Sequence, residues 1–198
     1  MSAVAIDVRP ASRTDEATVI GVITLAFSTD PMARWAFADT ASYLAVMPLF
    51  VRAFGGNGFD QGATHLVEGG WGAAMWLPPG VQPDEDTMLA LTEQHVPKDR
   101  LDDMMQVFTQ MEKYHPAVDC WYLPLIGVDP SSQGRGYGSA LLRYALQRCD
   151  RDGIDAYLES SNPRNITLYE RHGFERLGAI QSGTSPTMVP MLRRARRS

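Results

Sequence analysis

Apolar residues recur along the chain in two spacings, one typical of strands and one typical of helices. Alternation over residues 5–9 predicts a first strand that Pro10 ends, and segments 63–68 and 71–77 predict a strand pair joined by a turn at Gly69-Gly70. His65, in the first strand of this pair, is expected to face solvent. Helical spacing predicts five helices before residue 116, over 15–28, 30–37, 40–54, 84–95 and 98–115.

The second part of the chain is organised around a strand, a glycine-rich turn and a helix. The apolar run 121–128 is short enough for a buried strand, and helical spacing resumes after the turn. Pro124 cannot donate to a sheet ladder, so it predicts an edge or a bulge in that strand. Residues 155–159 are predicted to form the neighbouring strand, parallel to the first because a whole helix connects the two. Two closing antiparallel strands are predicted over 176–180 and 187–192.

The glycine-rich turn is a candidate phosphate site. Gly134, Gly136 and Gly138 stand at alternate positions, which removes Cβ atoms where the main chain bends and approaches another group. The amides of residues 133–139 would be the unpaired N–H groups of a helix start, which favour anions through hydrogen bonds and the helix dipole. The chain lacks the Gly-Lys-Ser/Thr of a nucleoside triphosphatase loop. A dinucleotide fingerprint with Glu159 as its acid fits poorly, because only about 40 residues follow that acid.

Two motifs give the second half a resemblance to a known family. The loop pattern Q/R-x-x-G-x-G/A is matched by Gln133, Gly136 and Gly138, with Gly134 and Arg135 in the variable places. The second pattern, an Asn seven residues before a Tyr and then Gly-Phe, is matched by Asn162, Tyr169, Gly173 and Phe174. With these motifs the chain resembles the GNAT superfamily of acyl-CoA-dependent N-acetyltransferases. The strings at 26–31, 74–79 and 159–165 further resemble the puromycin acetyltransferase-like branch.

The resemblance implies a fold, and it implies that different parts of the chain bind the cosubstrate and the acceptor. It implies a single α/β (α+β) domain over residues 1–198, with a mixed, mostly antiparallel central sheet, a splayed parallel strand pair and helices on both faces. Residues 119–180 would form the acyl-CoA-binding core, and residues 1–118 the acceptor-side half. The bulge known in GNAT proteins splays the central strand from its neighbour, and Pro124 fits that position.

The resemblance also implies roles in binding acetyl-CoA as the cosubstrate. The pyrophosphate would lie on the loop formed by Gln133, Gly134, Arg135, Gly136, Tyr137, Gly138 and Ser139. Main-chain groups of Ile126, Gly127 and Val128 would pair with the pantetheine amides like an added strand. Asn162 and Asn165 would contact the pantetheine arm or fix the turn, since Asn-Pro is also turn chemistry.

Catalytic roles follow from what acetyl transfer requires. Tyr169 is the candidate general acid, because a phenol with an ordinary pKa near 10 is protonated at neutral pH and can give its proton to a thiolate. Glu159 is the candidate base, acting directly or through water, and its alternative role is attraction of a cationic substrate. Trp35 and Trp76 are expected to line the acceptor pocket.

Composition narrows the remaining choices. A net charge of −5 argues against a nucleic-acid partner, and the lack of a long apolar stretch or basic leader argues against a membrane and for the cytoplasm.

Cys120 and Cys149 fit no zinc spacing and are expected to be apolar fillers, and no metal is expected. The basic C-terminal residues form either a solvated tail or a contact to an anionic ligand or another subunit; they are Arg193, Arg194, Arg196 and Arg197.

The sequence therefore predicts an acetyl-CoA-dependent N-acetyltransferase that modifies a primary amine of a small molecule, with antibiotics and other metabolites among the candidate substrates. Resistance or detoxification would be its role. The alternative from another class is a non-catalytic acyl-CoA-binding sensor or scaffold. A homodimer is common among the proteins that the chain resembles.

Overall fold

The computed structural model describes residues 6–196, and seven strands form in this range, the longer of them from short apolar runs. Residue 5, in the first predicted strand, and Arg197, in the basic tail, lie outside this range. The strands are β1 (Val8–Pro10), β2 (Thr64–Val67), β3 (Gly72–Leu77), β4 (Trp121–Val128), β5 (Ala156–Ser160), β6 (Glu175–Arg176) and β7 (Val189–Arg193).

The strands form one sheet in the order β1-β2-β3-β4-β5-β7-β6. All described neighbours are antiparallel except β4 and β5, which run parallel. This is the mixed, mostly antiparallel sheet that the sequence predicted, and the prediction of fold class is confirmed. The closing strands are shorter than expected, because the first of them continues past Arg176 only as an isolated bridge between Ile180 and Met188.

Helices cover both faces of the sheet. Those in the described range are α1 (Glu16–Ala26), α2 (Pro31–Ala36), α3 (Thr40–Gly55), α4 (Glu85–His95), α5 (Lys98–Tyr114), α6 (Tyr137–Asp152) and α7 (Ile166–Arg171). Aspartates begin three of them, because the side chains of Asp30, Asp39 and Asp84 accept hydrogen bonds from first-turn amides of α2, α3 and α4. Within residues 6–196, every helix falls short of the length or apolar character needed to cross a bilayer.

Two hydrophobic cores lie on opposite faces of the sheet. Helices α1 to α5 pack on one face, where Ile23, Val51 and Val107 are almost completely buried. Helices α6 and α7 pack on the other face, where Leu141 and Leu142 are fully buried. The first 118 residues therefore build one side of the sheet, and the glycine-rich turn opens into the helix that covers the other side.

The parallel strands β4 and β5 separate soon after they begin. They pair only through Trp121 with Ala156 and Tyr122 with Tyr157 in the described sheet. Beyond that point the ladder between β3 and β4 shifts register, and Pro124 lies in the shifted stretch. A proline has no N–H to give to a ladder, so it permits the bulge and the separation. The result is a slot between β4 and β5.

The sequence expectation that His65 faces solvent is wrong, and the expectation of a solvated basic tail fails for Arg193. His65 is only 5% exposed, and its ring packs against Tyr144 with centroids 4.8 Å apart, because α6 covers that face of β2. Of the described C-terminal arginines, Arg193 is buried at the end of β7, whereas Arg194 and Arg196 are exposed. The Arg193 guanidinium donates to both carboxylate oxygens of Asp150 at 2.7 and 2.8 Å, and Arg194 pairs with Asp155.

Candidate active site

The glycine-rich loop connects the end of β4 to the start of α6. Gly134 and Gly136 have φ of 76° and 89°, a left-handed conformation that glycine adopts without steric cost. Gly136 is the residue before α6, and no side chain caps the first turn of this helix. The amides at the start of α6 therefore have no side-chain cap, and they are the groups for which the sequence predicts an anion.

A cleft of about 470 Å³ lies against this loop, and we call it the glycine-loop cleft. The predicted cofactor residues that line it are Ile126, Gly127, Val128, Gln133, Gly134, Gly136, Tyr137, Gly138, Ser139, Asn162 and Asn165. Arg135 is the one predicted residue that does not line the cleft, and it is exposed. Arg164 and Arg171 line the cleft as well and add positive charge that sequence reasoning missed.

Main-chain N–H groups of β4 point into the slot. The amide of Asp129 donates to the carbonyl of Trp71, next to β3, at 3.0 Å. Because successive amides of a strand point in opposite directions, the N–H groups of Ile126 and Val128 face away from β3 and toward β5. Since β5 has separated from β4 here, no strand takes these donors in the described sheet. They can pair with an extended ligand.

Two polar side chains of the cleft are already held by the protein. The amide oxygen of Asn162 accepts the backbone N–H of Arg164 at 3.1 Å, so this residue fixes the turn. The hydroxyl of Ser139 accepts from Arg143 at 2.9 Å and shares a hydrogen bond of 2.6 Å with His172. Ser139 is therefore better placed to offer its main-chain N–H than its hydroxyl to a ligand.

A second, apolar cavity of about 110 Å³ lies on the other side of the slot. It shares five lining residues with the glycine-loop cleft, which are Phe27, Asp30, Ile126, Asn165 and Tyr169. The two spaces therefore meet at Tyr169. Glu159, at the end of β5, lines the apolar cavity and not the cleft.

Glu159 has the properties of a base that works near neutral pH. Burial raises its pKa to about 7, against the smaller lowering effect of hydrogen bonds such as the one that the Tyr122 hydroxyl donates to its carboxylate at 2.8 Å. The carboxyl group therefore changes its protonation state near pH 7. A group with such a pKa can accept a proton and release it again.

Tyr169 packs in the core and also faces the junction of the two spaces. Its side chain is 5% exposed, and its ring lies edge-on to Phe174 with centroids 6.1 Å apart. Burial raises the pKa of the phenol well above its usual value, and the charge of Asp30 raises it further. The phenol therefore stays protonated over the neutral range, as a general acid requires.

Asp30 is a site residue that the sequence reasoning missed. One carboxylate oxygen accepts the amides of Met32 and Ala33 at 3.0 and 3.1 Å, and the other accepts the hydroxyl of Ser161 at 2.7 Å. Burial is the main reason why its pKa is raised. The Asp-Pro pair predicted a helix start, and nothing in the sequence indicated that the same carboxylate would lie between the two spaces.

The two tryptophans predicted to bind substrate do not line either space. Trp76 is completely buried in the core under α6, because β3 is covered on both faces. Trp35 donates from its indole to the hydroxyl of Thr184 at 3.2 Å, and Arg100 lies over its ring. Its helix still contributes to the apolar cavity, but through Met32.

The cysteines do not offer a nucleophile. Cys120 and Cys149 are buried, and burial raises their pKa values to about 11 and about 12. Thiols with such pKa values carry almost no thiolate at neutral pH. Within residues 6–196, no group of three or more His, Cys, Asp or Glu side chains is arranged to hold a metal ion.

Comparison with known proteins gives the class of this fold and site. Residues 104–174 match the model of the acetyltransferase (GNAT) family. An uncharacterized N-acetyltransferase of Schizosaccharomyces pombe is 43% identical over 71 residues, which are 36% of this chain and 29% of that protein. A mycothiol acetyltransferase of Beutenbergia cavernae is 45% identical over 53 residues, which are 25% of this chain and 18% of that protein. The matched region thus spans less than a third of these relatives' length.

Solved structures share the fold over nearly the whole chain. A Corynebacterium glutamicum structure, described as histone acetyltransferase HPA2 and related acetyltransferase, has a TM-score of 0.69 and 23% identity, and covers 98% of this chain and 99% of that one. The polyamine N-acetyltransferase of Drosophila melanogaster has a TM-score of 0.66 and 12% identity, and covers 96% of this chain and 100% of that one. The chain therefore shares the fold of these acetyltransferase structures, and its residues 104–174 are similar to the GNAT family.

Proposed function

We propose that the chain is an acetyl-CoA-dependent N-acetyltransferase that transfers an acetyl group to a primary amine of a small molecule. One observation carries the proposal. Tyr169, a buried phenol, lies where the glycine-loop cleft meets the apolar cavity, and Glu159 lines the cavity beyond it. An acid on the side of the thiol and a base on the side of the amine are the two groups that this transfer needs.

The glycine-loop cleft suits the cosubstrate acetyl-CoA. Free amides at the start of α6 would hold the pyrophosphate, and Arg164 and Arg171 would add charge of the right sign. The N–H groups of Ile126 and Val128 would pair with the pantetheine arm in the slot or polarise the thioester carbonyl. A Cβ built on Gly134 meets nothing within 4 Å, so the loop is open to a ligand.

The residues then divide the proton transfers between them. Glu159 takes a proton from the ammonium, and the free amine nitrogen attacks the thioester carbonyl carbon. As the carbon–sulfur bond breaks, Tyr169 gives its proton to the departing thiolate. The nitrogen loses a second proton when the tetrahedral intermediate collapses, and this proton replaces, through solvent, the one that Tyr169 gave to the thiolate. Glu159 then releases its own proton to solvent.

The proposal extends to the finer parts of the sequence prediction. These are a puromycin acetyltransferase-like branch, a role in resistance or detoxification, and a place in the cytoplasm. They rest on the resemblance of the strings at 26–31, 74–79 and 159–165, and the substrate panel described next includes the amine that they point to.

The test is an assay of thiol release from acetyl-CoA with a panel of primary amines that includes puromycin, followed by mass detection of a gain of about 42 Da for acetyl replacing hydrogen. Release of thiol that depends on an amine, with an acetylated product, is the expected result. Tight binding of acetyl-CoA without product from any amine would instead indicate an acyl-CoA sensor or scaffold.

A further inference from the structure

The apolar cavity has a second opening, away from the glycine-loop cleft. A surface pocket between α4 and α5, which we call the α4–α5 mouth, shares five lining residues with the cavity, and these are Phe54, Met88, Phe108, Met111 and Glu159. The glycine-loop cleft opens at the other end, at Tyr169. The cavity is therefore a passage with one end at each ligand's entrance, and Glu159 is reached from the mouth.

The walls of this passage are apolar and aromatic. Besides the shared residues, Phe27, Phe50, Met47, Met104, Val107 and Met188 line it. A purely apolar cavity of roughly 150 Å³ holds one benzene ring. The inner cavity, at about 110 Å³, therefore has room for a ring or a branched alkyl group if flexible methionines yield slightly.

The inner cavity carries charge of a single sign, whereas the mouth carries both signs, with Glu85 and Glu112 beside Lys113. The lining of the inner cavity contains two carboxylates, Asp30 and Glu159, and no Lys, Arg or His side chain among residues 6–196. Asp30 already accepts hydrogen bonds from two amides and from Ser161, so it has little remaining capacity. Glu159, at the point shared with the mouth, is the group best placed to receive one ammonium.

Apart from Asn165 and Tyr169, which lie at the junction with the glycine-loop cleft, the remaining polar groups offer little to a hydroxyl-rich molecule. The Thr92 hydroxyl donates to the carbonyl of Met88 in its own helix at 2.8 Å, and the Ser161 hydroxyl donates to Asp30. Sugar hydroxyls placed against these walls would lose water without gaining partners, which is unfavourable. A second ammonium of a polyamine would meet the same apolar walls.

From these observations, and resting on the proposed acetyl transfer, we infer that the acceptor is a primary amine with one cationic head and an aromatic or branched apolar body, which enters through the α4–α5 mouth. The head pairs with Glu159, and the body packs against Phe108, Met88 and Met111. Polyamines and amino sugars are poor acceptors for this site.

A matched set of amines tests the substrate class. With acetyl-CoA, we expect kcat/KM for 2-phenylethylamine and 3-methylbutylamine to exceed that for putrescine, spermidine and glucosamine by about tenfold or more. An equal or reversed ratio would overturn the inference while leaving acetyl transfer intact. If acetyl-CoA binds and no amine in the set or in the wider panel is acetylated, the proposed function itself fails, and the inference fails with it.

Variants on α5 test the route. Phe108→Ala should raise KM for 2-phenylethylamine about tenfold and leave KM for acetyl-CoA unchanged, whereas Thr109→Ala, at an exposed position of the same helix, should change neither. Met111→Lys should also raise KM for the amine about tenfold, because the lysine repels the ammonium. Gln106→Lys, at an exposed position of the same helix, is its control and should leave this KM unchanged. If Phe108→Ala and Met111→Lys each have the same KM for the amine as their control variants, the amine does not enter through this mouth.

Discussion

At the scale of single residues, the phenol of Tyr169 gives the sharpest test of the proposed chemistry. Its pKa is raised by burial and by Asp30, so the group is a proton donor throughout the neutral range and never a base. We expect Tyr169→Phe to lower kcat about a hundredfold at neutral pH with little change in KM for acetyl-CoA. Thiol-release kinetics measure both quantities. A variant with unchanged kcat would exclude Tyr169 as the general acid.

The hydrogen bond from Tyr122 to Glu159 should set the acidic limb of the pH profile. Burial raises the pKa of Glu159 to about 7, and the Tyr122 hydroxyl opposes this by stabilising the ionised carboxylate. Tyr122→Phe should therefore raise that pKa and move the acidic limb of kcat/KM to higher pH by roughly one unit. Tyr144→Phe, on the opposite face of the sheet, is the control. If the acidic limb of Tyr122→Phe lies at the same pH as that of the unmodified protein, Glu159 is not the base in the proton transfer.

Site residues that belong to a sequence motif could be predicted, whereas site residues that become neighbours only through folding could not. Tyr169 was found because it stands at a fixed distance from Asn162. Asp30 was not found, because its partner Ser161 is 131 positions away in the chain. Trp35 and Trp76 were predicted from the resemblance of their segments to a family, and both side chains pack against a hydrophobic core instead.

At the scale of elements, the two ends of α6 form a matched experiment on the glycine loop. Gly136 precedes the helix with φ of 89°, and Gly153 follows it with φ of 68°. An alanine at either position must adopt a left-handed conformation, which costs about 1–2 kcal/mol. Gly136→Ala and Gly153→Ala should therefore lower the free energy of unfolding by similar amounts.

Only the first of these variants should impair the cofactor site. We expect Gly136→Ala to raise KM for acetyl-CoA about tenfold, because the loop amides that face the cleft would move. Gly153→Ala should leave it unchanged. Denaturant unfolding and steady-state kinetics on both proteins check the two halves of the prediction, and equal KM values would show that the loop does not hold the cosubstrate.

The elements themselves were largely predictable, because each is punctuated by Gly, Pro or a capping Asp. The errors concern which side of an element is buried. His65 was expected in solvent because an alternating strand usually has one wet face. Here α6 covers β2 on the side opposite α1 and α3, so all four residues of β2 are buried. Burial of both faces of a strand depends on helices that are far away in the chain, so the sequence of the strand alone does not predict it.

At the scale of the whole molecule, the half of the site that binds the acceptor is assembled from many distant segments. The apolar cavity takes its walls from α2, α3, α4, α5 and β4, and no local motif spans these elements. The cofactor half lies mostly within residues 126–171, and residues 26–30 are its one distant segment. This difference in contact range explains why the residues predicted from the sequence include more than half of the lining of the glycine-loop cleft but only a few residues of the apolar cavity.

The raised pKa of Glu159 also makes the stability of the whole protein depend on pH. A carboxyl group whose pKa rises from 4.5 to about 7 on folding stabilises the folded state below pH 4.5, and this contribution is lost as pH rises through 7. Ionised Glu159 should therefore cost roughly 2–3 kcal/mol at pH 8. Glu159→Gln cannot ionise and avoids this cost.

We accordingly expect Glu159→Gln to be more stable than the unmodified protein at pH 8, and to lose that advantage near pH 4.5, while acetyl transfer falls at both. Groups such as Asp150, whose pKa Arg193 lowers, titrate identically in both proteins, so their effect cancels in the difference. Urea unfolding across this range gives the free energies, with Glu93→Gln on the exposed side of α4 as the control. A constant difference between the two proteins at all pH values would contradict a buried, neutral Glu159.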